Sequence, residues 1–171
     1  MMVEQVLNDF SGAYKFKYVA LRYFNAAGIN PERSINIESI SGTHLIPNVI
    51  KSAKNPRKVL KVFGNNYKTK DGTCVRDYIH VVDLCSAHLL ALKYLAKNNK
   101  SDIFNLGSGK GFTVKEVIDT VEKVTGKKVK TKVIGRRGGD LPELIANSNK
   151  ARKILGWKPK YTLKGIIETS I

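Results

Sequence analysis

Arg76, inside DGTCVRDYIHVVDL (71–84), and Arg137, inside RRGGD (136–140), each stand in a loop beside a predicted strand. A guanidinium presents its donors in a rigid fork, and two of them brought from distant parts of a chain can grip a phosphate or diphosphate. Amide and hydroxyl groups fall at comparable places: Asn25 after one strand, Asn65 and Asn66 after Phe63–Gly64, and Ser108 after Gly107. In open α/β sheets, ligands bind beyond the carboxyl ends of the strands. Plainer readings compete. Arg76 beside Asp77 reads as a surface ion pair worth about 0–1 kcal/mol, and from the residues alone that is the better account of it. Arg136 and Arg137 read equally as solvated charge. His80 and His88 lack acidic or cysteine neighbours at metal-ligand spacing, so no metal site is expected. NLGSGKG (105–111) lacks the Walker pattern and is taken as a strand-ending turn.

The elements that must position these groups alternate between strand and helix. KYVALRYF (17–24) reads as a largely buried strand, broken by Gly28 and Pro31. THLIPNVIKSAKN has helical spacing at Leu45, Val49 and Ala53, with Pro47 tolerable only in a first turn. KVLKVFG (58–64) is a short strand, and YIHVV leads to Asp83, read as the N-cap of the helix LCSAHLLALKYLAK. DIFNLGSGKG (102–111) is again strand then turn. Thr113 and Glu116 form a capping box, Phe112 and Val117 the accompanying hydrophobic staple, and Gly126 ends that helix. KKVKTKVIG is a strand with lysines outward and Val129, Val133 and Ile134 available to pack. A helix near Ser148 to Leu155, the turn GWKP and an amphipathic stretch from Leu163 close the chain. This order argues for an α/β fold.

With 171 residues and 42% hydrophobic content, the chain can bury a sizeable core. No run of eighteen apolar residues occurs, and Glu4 and Asp9 interrupt the start where a signal peptide needs an apolar core. No membrane partner is expected. Cys74 and Cys85 match neither a disulfide framework nor zinc spacing, which suits a reducing cytoplasm. The formal charge of +16 fits a nucleic-acid-binding module, the alternative from a different functional class. The excess, however, is 23 Lys against 7 Arg, concentrated at 51–70 and 127–139, and neither stretch interleaves aromatics as single-strand binders do. A solvated, lysine-rich surface is the preferred reading, and such a field would still draw in any anionic ligand.

LRYFNAAG, HLIP, VFGNNYKTKDGTCVRDYIHVVDLCSAH, FNLGSGKGFTVKEVI, RRGGDLPELIANSNKA and LGWKP follow one another in this order and spacing. Together they resemble UDP-glucose (UDP-galactose) 4-epimerases of the extended short-chain dehydrogenase/reductase superfamily. The resemblance covers essentially the whole chain and is most specific from Val62 to His80. Related nucleotide-sugar dehydratases and decarboxylases share the RDY core but usually lack the FGNDY-x-T-x-DGT lead-in that FGNNYKTKDGT resembles. Asn66 stands where that lead-in usually has aspartate.

The resemblance implies an α/β enzyme of two lobes, with NAD on a Rossmann domain and a UDP-sugar on a smaller lobe, of which this chain is the C-terminal part. Residues 1–24 and 77–97 would belong to a partial Rossmann lobe, and 25–76 with 98–171 to the UDP-sugar lobe. Neither the glycine-rich NAD fingerprint nor a Tyr-x-x-x-Lys in matching context occurs, so no catalytic residue is assigned and the chain alone is expected to be inactive. By position, Asn25, Arg76, Arg137 and Asp140 resemble contacts to UDP, its ribose and its phosphates. Leu45, Phe63 and Tyr78 resemble residues lining the same pocket, and Tyr23 and Phe24 those nearing the nicotinamide. His44 stands where other members have asparagine, and Leu144 matches a position that influences acceptance of N-acetylated sugars. A homodimer of the complete enzyme is a further expectation.

Overall fold

The computed structural model describes residues 2–32 and 44–171. The stretch predicted as one strand over 17–24 divides in two: β1 (Val19–Tyr23) and β2 (Asn25–Ala27), separated by a bend at Phe24. The division follows from their partners. β1 pairs in parallel with β5 (Asp102–Leu106), whereas β2 pairs in parallel with β4 (Val75–His80), so the chain crosses from one sheet to another at Phe24. β5 lies beyond residue 97, across the division expected from the sequence, and is hydrogen-bonded to β1 along its whole length.

β4 also pairs antiparallel with β6 (Gly111–Thr113) and in parallel with the short β8 (Glu143–Leu144), and β3 (Leu60–Phe63) pairs in parallel with β7 (Thr131–Ile134). The lysines of KKVKTKVIG are exposed as predicted and Val129 is buried, but the strand is confined to Thr131–Ile134 and Val133 is exposed rather than packed, so exposure does not alternate along β7. β3 is the single strand β7 pairs with among the described residues.

The helices are α1 (Met2–Tyr14), α2 (Leu45–Lys54), α3 (Val81–Asn98), α4 (Val114–Thr125), α5 (Asn149–Leu155) and α6 (Leu163–Thr169). Pro47 falls in the first turn of α2, where its missing N–H costs nothing. The capping box of α4 forms as expected: Thr113 Oγ1 accepts from Glu116 N at 3.1 Å, and Thr113 N donates to Glu116 Oε2 at 2.8 Å. Gly126 ends the helix in the left-handed conformation, at φ 67°.

Two apolar cores result. The first takes Ile46, Val49 and Ile50 of α2, Val117 and Val121 of α4, and Ile166 and Ile167 of α6, over Leu60, Val62 and Tyr78. The second takes Ile79, Leu84, Phe104, Leu106, Leu155 and Trp157. Consecutive residues of β4, Tyr78 and Ile79, therefore enter different cores, as the two-residue period of a strand covered on both faces requires. α1 contributes no buried residue and is tied to β1 by the Arg22–Glu4 ion pair. Among the described residues, no helix is long and apolar enough to cross a membrane.

Asp83 is not the cap of α3. The helix starts three residues earlier, directly from β4, and His80 is its N-cap, with Nδ1 accepting from Val82 N at 3.1 Å. Asp83 is buried, and its carboxylate accepts from Lys160 N at 3.0 Å and Tyr161 N at 3.1 Å. It fastens the segment leading to α6 instead of beginning a helix.

Candidate functional site

The alternation that begins β4 decides where Arg76 goes. Neighbours on a strand point to opposite faces, so Arg76 and Asp77 cannot form the surface pair that their adjacency suggests. Arg76 Nη1 donates to the carbonyls of Val75 and Leu141, both at 2.8 Å, and Nη2 reaches Asp140 Oδ1 at 3.3 Å. The Arg76 side chain is only 17% exposed, so this pair is better shielded from solvent than an ordinary surface ion pair.

Asp140 closes a turn whose first residue is Arg137, through Asp140 N to Arg137 O at 3.4 Å. The Arg137 guanidinium lies 3.5 Å over the Phe63 ring, a cation–π contact at the end of β3. Arg136 takes a parallel place over Tyr67 at 4.1 Å and donates from Nε to Asn66 Oδ1 at 2.6 Å. Phe63, Arg137, Asp140 and Arg76 are thus joined contact by contact, and the register sets Leu144 of β8 opposite Arg76.

Asn25 and Tyr78 adjoin this group. Asn25 is opposite Tyr78 in the β2–β4 register, and its Nδ2 donates to Asp77 O at 3.0 Å. Tyr78 is buried in the first core, and burial pushes its phenol up to about 12, so it stays protonated at neutral pH. Leu45, half-buried at the start of α2, packs on the same core. His44 is exposed at the N-cap of α2 and makes no side-chain cap bond. Tyr23 is half exposed at the end of β1, and Phe24 occupies the bend that follows it. Contacts therefore link Phe63, Arg137, Asp140 and Arg76, with Leu144 opposite Arg76, while Asn25 and Tyr78 face each other in the second half of β4 and Leu45 packs on the first core; His44 is exposed at the start of α2, and Tyr23 and Phe24 are set off at the bend between the sheets.

Sequence reasoning missed Asp77. It is 1% exposed, and its carboxylate accepts from Ser108 N (2.9 Å), Ser108 Oγ (2.6 Å), Gly109 N (3.0 Å) and Ala146 N (3.2 Å). The available signal was its phase: an acidic residue between Val75 and Ile79 on the inward side of a strand.

At the other end of β4, His80 is fully buried, stacked on Tyr161 with centroids 3.7 Å apart and bonded through Nε2 to Thr169 Oγ1 at 2.9 Å. Gly28, at φ +84°, passes so close that any Cβ would collide with the ring. Because Nδ1 accepts from Val82 N, the neutral ring carries its proton on Nε2. Burial lowers the His80 pKa, with the Asp83 charge opposing in part. A depressed histidine pKa stabilises the fold fully above the unfolded value of about 6.5, and that contribution is lost as pH falls toward the folded one. The urea midpoint is expected to drop with pH through this window, and a His80→Gln variant to lose that part of the slope; an unchanged slope in the variant would exclude His80 as its source.

Residues 1–107 match the model of the NAD dependent epimerase/dehydratase family. The chain belongs to that family. A UDP-glucose 4-epimerase of Lacticaseibacillus casei is 48% identical over 171 residues, 99% of this chain and 52% of the relative. The crystal structure of UDP-glucose 4-epimerase from Brucella ovis in complex with NAD superposes at a TM-score of 0.92, with 40% identity over 99% of this chain and 52% of that one. The Bifidobacterium longum UDP-glucose 4-epimerase in complex with NAD+ and UDP superposes at 0.87, with 37% identity over 98% of this chain and 50% of that one. This epimerase/dehydratase chain spans about half the length of the curated relatives it matches. The α/β fold expected from its strand and helix order, and the Rossmann-like architecture that the resemblance implied, are those of these neighbours.

Proposed function

We propose that the chain is the UDP-sugar-gripping part of an NAD-dependent 4-epimerase that interconverts UDP-glucose and UDP-galactose through a 4-keto intermediate. The observation that carries this reading is the set of contacts from Phe63 through Arg137 and Asp140 to Arg76, with one guanidinium on the 137–140 turn and a second, from β4, against the carboxylate that closes it. Epimerisation at C4 requires the nucleotide to be held firmly while the sugar turns over, and a diphosphate flanked by two arginines meets the first requirement.

In this reading Arg76 and Arg137 take the diphosphate, Asp140 and Asn25 take ribose and pyrimidine hydrogen bonds, and Phe63, Leu45, Tyr78 and His44 border the pocket. Leu144, exposed opposite Arg76, borders the sugar and sets whether an N-acetyl group fits. The half-exposed Tyr23 and the adjoining Phe24 leave apolar surface at a strand end that fits a nicotinamide ring, and NAD would supply hydride acceptance and return. Residues 1–24 and 77–97 would complete the cofactor lobe, and 25–76 with 98–171 the UDP-sugar lobe. The active protein would be cytoplasmic and pair with a second copy.

The test is turnover by the complete enzyme. UDP-galactose is expected to yield UDP-glucose, while UDP-glucuronate and deoxythymidine-diphosphate-glucose are expected to go unconsumed; conversion of either of those, with UDP-galactose left intact, would overturn the assignment. No tyrosine in the chain is followed by a lysine four residues on, so the 171-residue polypeptide by itself is expected to show no epimerisation. Measurable turnover by that polypeptide would refute the division of labour proposed here.

A further inference from the structure

We infer that Asp77, which the proposed site leaves unassigned, is the positioning residue of the UDP cradle: its carboxylate fixes the 140–146 segment that presents Asp140 to Arg76. The inference rests on the reading of Arg76, Arg137 and Asp140 as nucleotide contacts.

Consecutive side chains of β4 hold that segment at its two ends. On one face, Arg76 Nη1 takes the Leu141 carbonyl at 2.8 Å, before β8 begins. On the other, the Asp77 carboxylate takes Ala146 N at 3.2 Å, after β8 ends. Between these two bonds β8 lies parallel to β4, with Glu143 opposite Val75 and Leu144 opposite Arg76. A two-residue strand cannot hold its register by its own ladder, so the bonds outside it fix where it lies.

The same carboxylate draws in the loop after β5. It accepts from Ser108 N, Ser108 Oγ and Gly109 N, which aims β6 along the opposite edge of β4. Gly107 shows how tightly that loop closes: a Cβ there would run into both Asp77 and Ala146. The Asp77 carbonyl, meanwhile, accepts from Asn25 Nδ2 at 3.0 Å. One buried residue thus holds three separate pieces of chain, two of which, the Asn25 strand and the 140–146 segment, carry candidate nucleotide contacts. Its carboxylate accepts from four donors and pairs with no cation among the described residues, and an amide in its place would turn a donor toward N–H groups.

Asp83 is a matched control, seven positions from Arg76 in the same β4–α3 stretch. It too is a buried carboxylate held by backbone N–H groups, but its partners, Lys160 and Tyr161, lie outside the cradle. In the complete enzyme with NAD bound, well below the unfolding temperature, UDP titration calorimetry is expected to give an Asp77→Asn variant a Kd raised about tenfold, the equivalent of one charge-assisted hydrogen bond. Its KM for UDP-galactose should rise by a similar factor while kcat stays within about twofold, because the cradle holds the nucleotide away from the reacting carbon. Asp83→Asn should lower the thermal midpoint as Asp77→Asn does, yet leave the UDP Kd within about twofold. Ser108→Ala, which keeps the Ser108 N bond to Asp77 and removes the Oγ bond together with the two Oγ bonds to Lys110, should raise the Kd about threefold and decides the matter if Asp77→Asn fails to fold. Wild-type affinity in Ser108→Ala and in any folded Asp77→Asn overturns the inference, as does an equal loss of affinity in Asp83→Asn. A wild-type enzyme that turns over UDP-galactose but shows this pattern of failure loses only the role of Asp77; one that binds no UDP loses the underlying reading as well.

Discussion

Replacing Arg76 with alanine in the complete enzyme is expected to raise the Kd for UDP by one to two orders of magnitude. Two losses combine. The first is a charge-assisted contact to the diphosphate, worth about 1.5–3 kcal/mol. The second is the bond that seats Leu141 and the pair that orients Asp140. Arg76→Lys should recover only part of the affinity, because one ammonium on a flexible stem cannot meet the Val75 and Leu141 carbonyls and the Asp140 carboxylate with the geometry of a planar fork. Calorimetric titration with UDP measures both. Pairing Arg76→Ala with Asp140→Ala should give less than the sum of the single effects, since the two side chains share one contact. Wild-type affinity in Arg76→Ala would remove the central element of the proposed site.

The largest loss of stability is expected from Trp157→Ala, at about 3–5 kcal/mol. Trp157 is 1% exposed and follows Gly156, whose left-handed conformation at φ 67° turns the chain back after α5. The indole fills the second core beside Phe104 and Leu155, and its Nε1 donates to Asp83 O at 3.0 Å and Ser86 Oγ at 3.1 Å. Alanine leaves a cavity and also strips a buried carbonyl of a partner. Trp157→Phe should cost less, because it keeps most of the apolar volume and loses mainly the two hydrogen bonds. The protein has a single tryptophan, so urea unfolding must be followed by circular dichroism. A loss under about 1 kcal/mol would mean that the indole does not pack as described.

What could be read from the sequence was local or periodic. The Thr113–Glu116 capping box needs only residues three apart, and it formed as read. Pro47 and Gly126 carry their backbone restrictions with them, and they mark the start of one helix and the end of another. What could not be read depended on partners far along the chain. Asp83 looks like a cap until Lys160 and Tyr161 fold back onto it. The break at Phe24 exists because β1 and β2 answer to different strands. The pattern of KKVKTKVIG pointed to a strand, which forms over Thr131–Ile134, but a pattern does not say whether anything covers Val133, which is exposed. At the candidate site the residue types were legible, Arg76 and Arg137 above all, while their grouping around Asp140 was not: adjacency pointed to Asp77 as the partner of Arg76, and the pleat of β4 sends the two apart.

That pleat has a consequence for how this part of the protein can change length. Arg76, Tyr78 and His80 point one way from β4 and Val75, Asp77 and Ile79 the other, each set committed to a different surrounding. Adding or deleting one codon between 75 and 80 would exchange the sets, turning a guanidinium toward the donors meant for a carboxylate and a carboxylate toward Asp140. The exposed residues 99 and 100, between α3 and β5, carry no such alternation and can vary in number. Lineages descended from this chain can therefore lengthen or shorten their outer bends, but the six-residue spacing of β4 must be inherited intact.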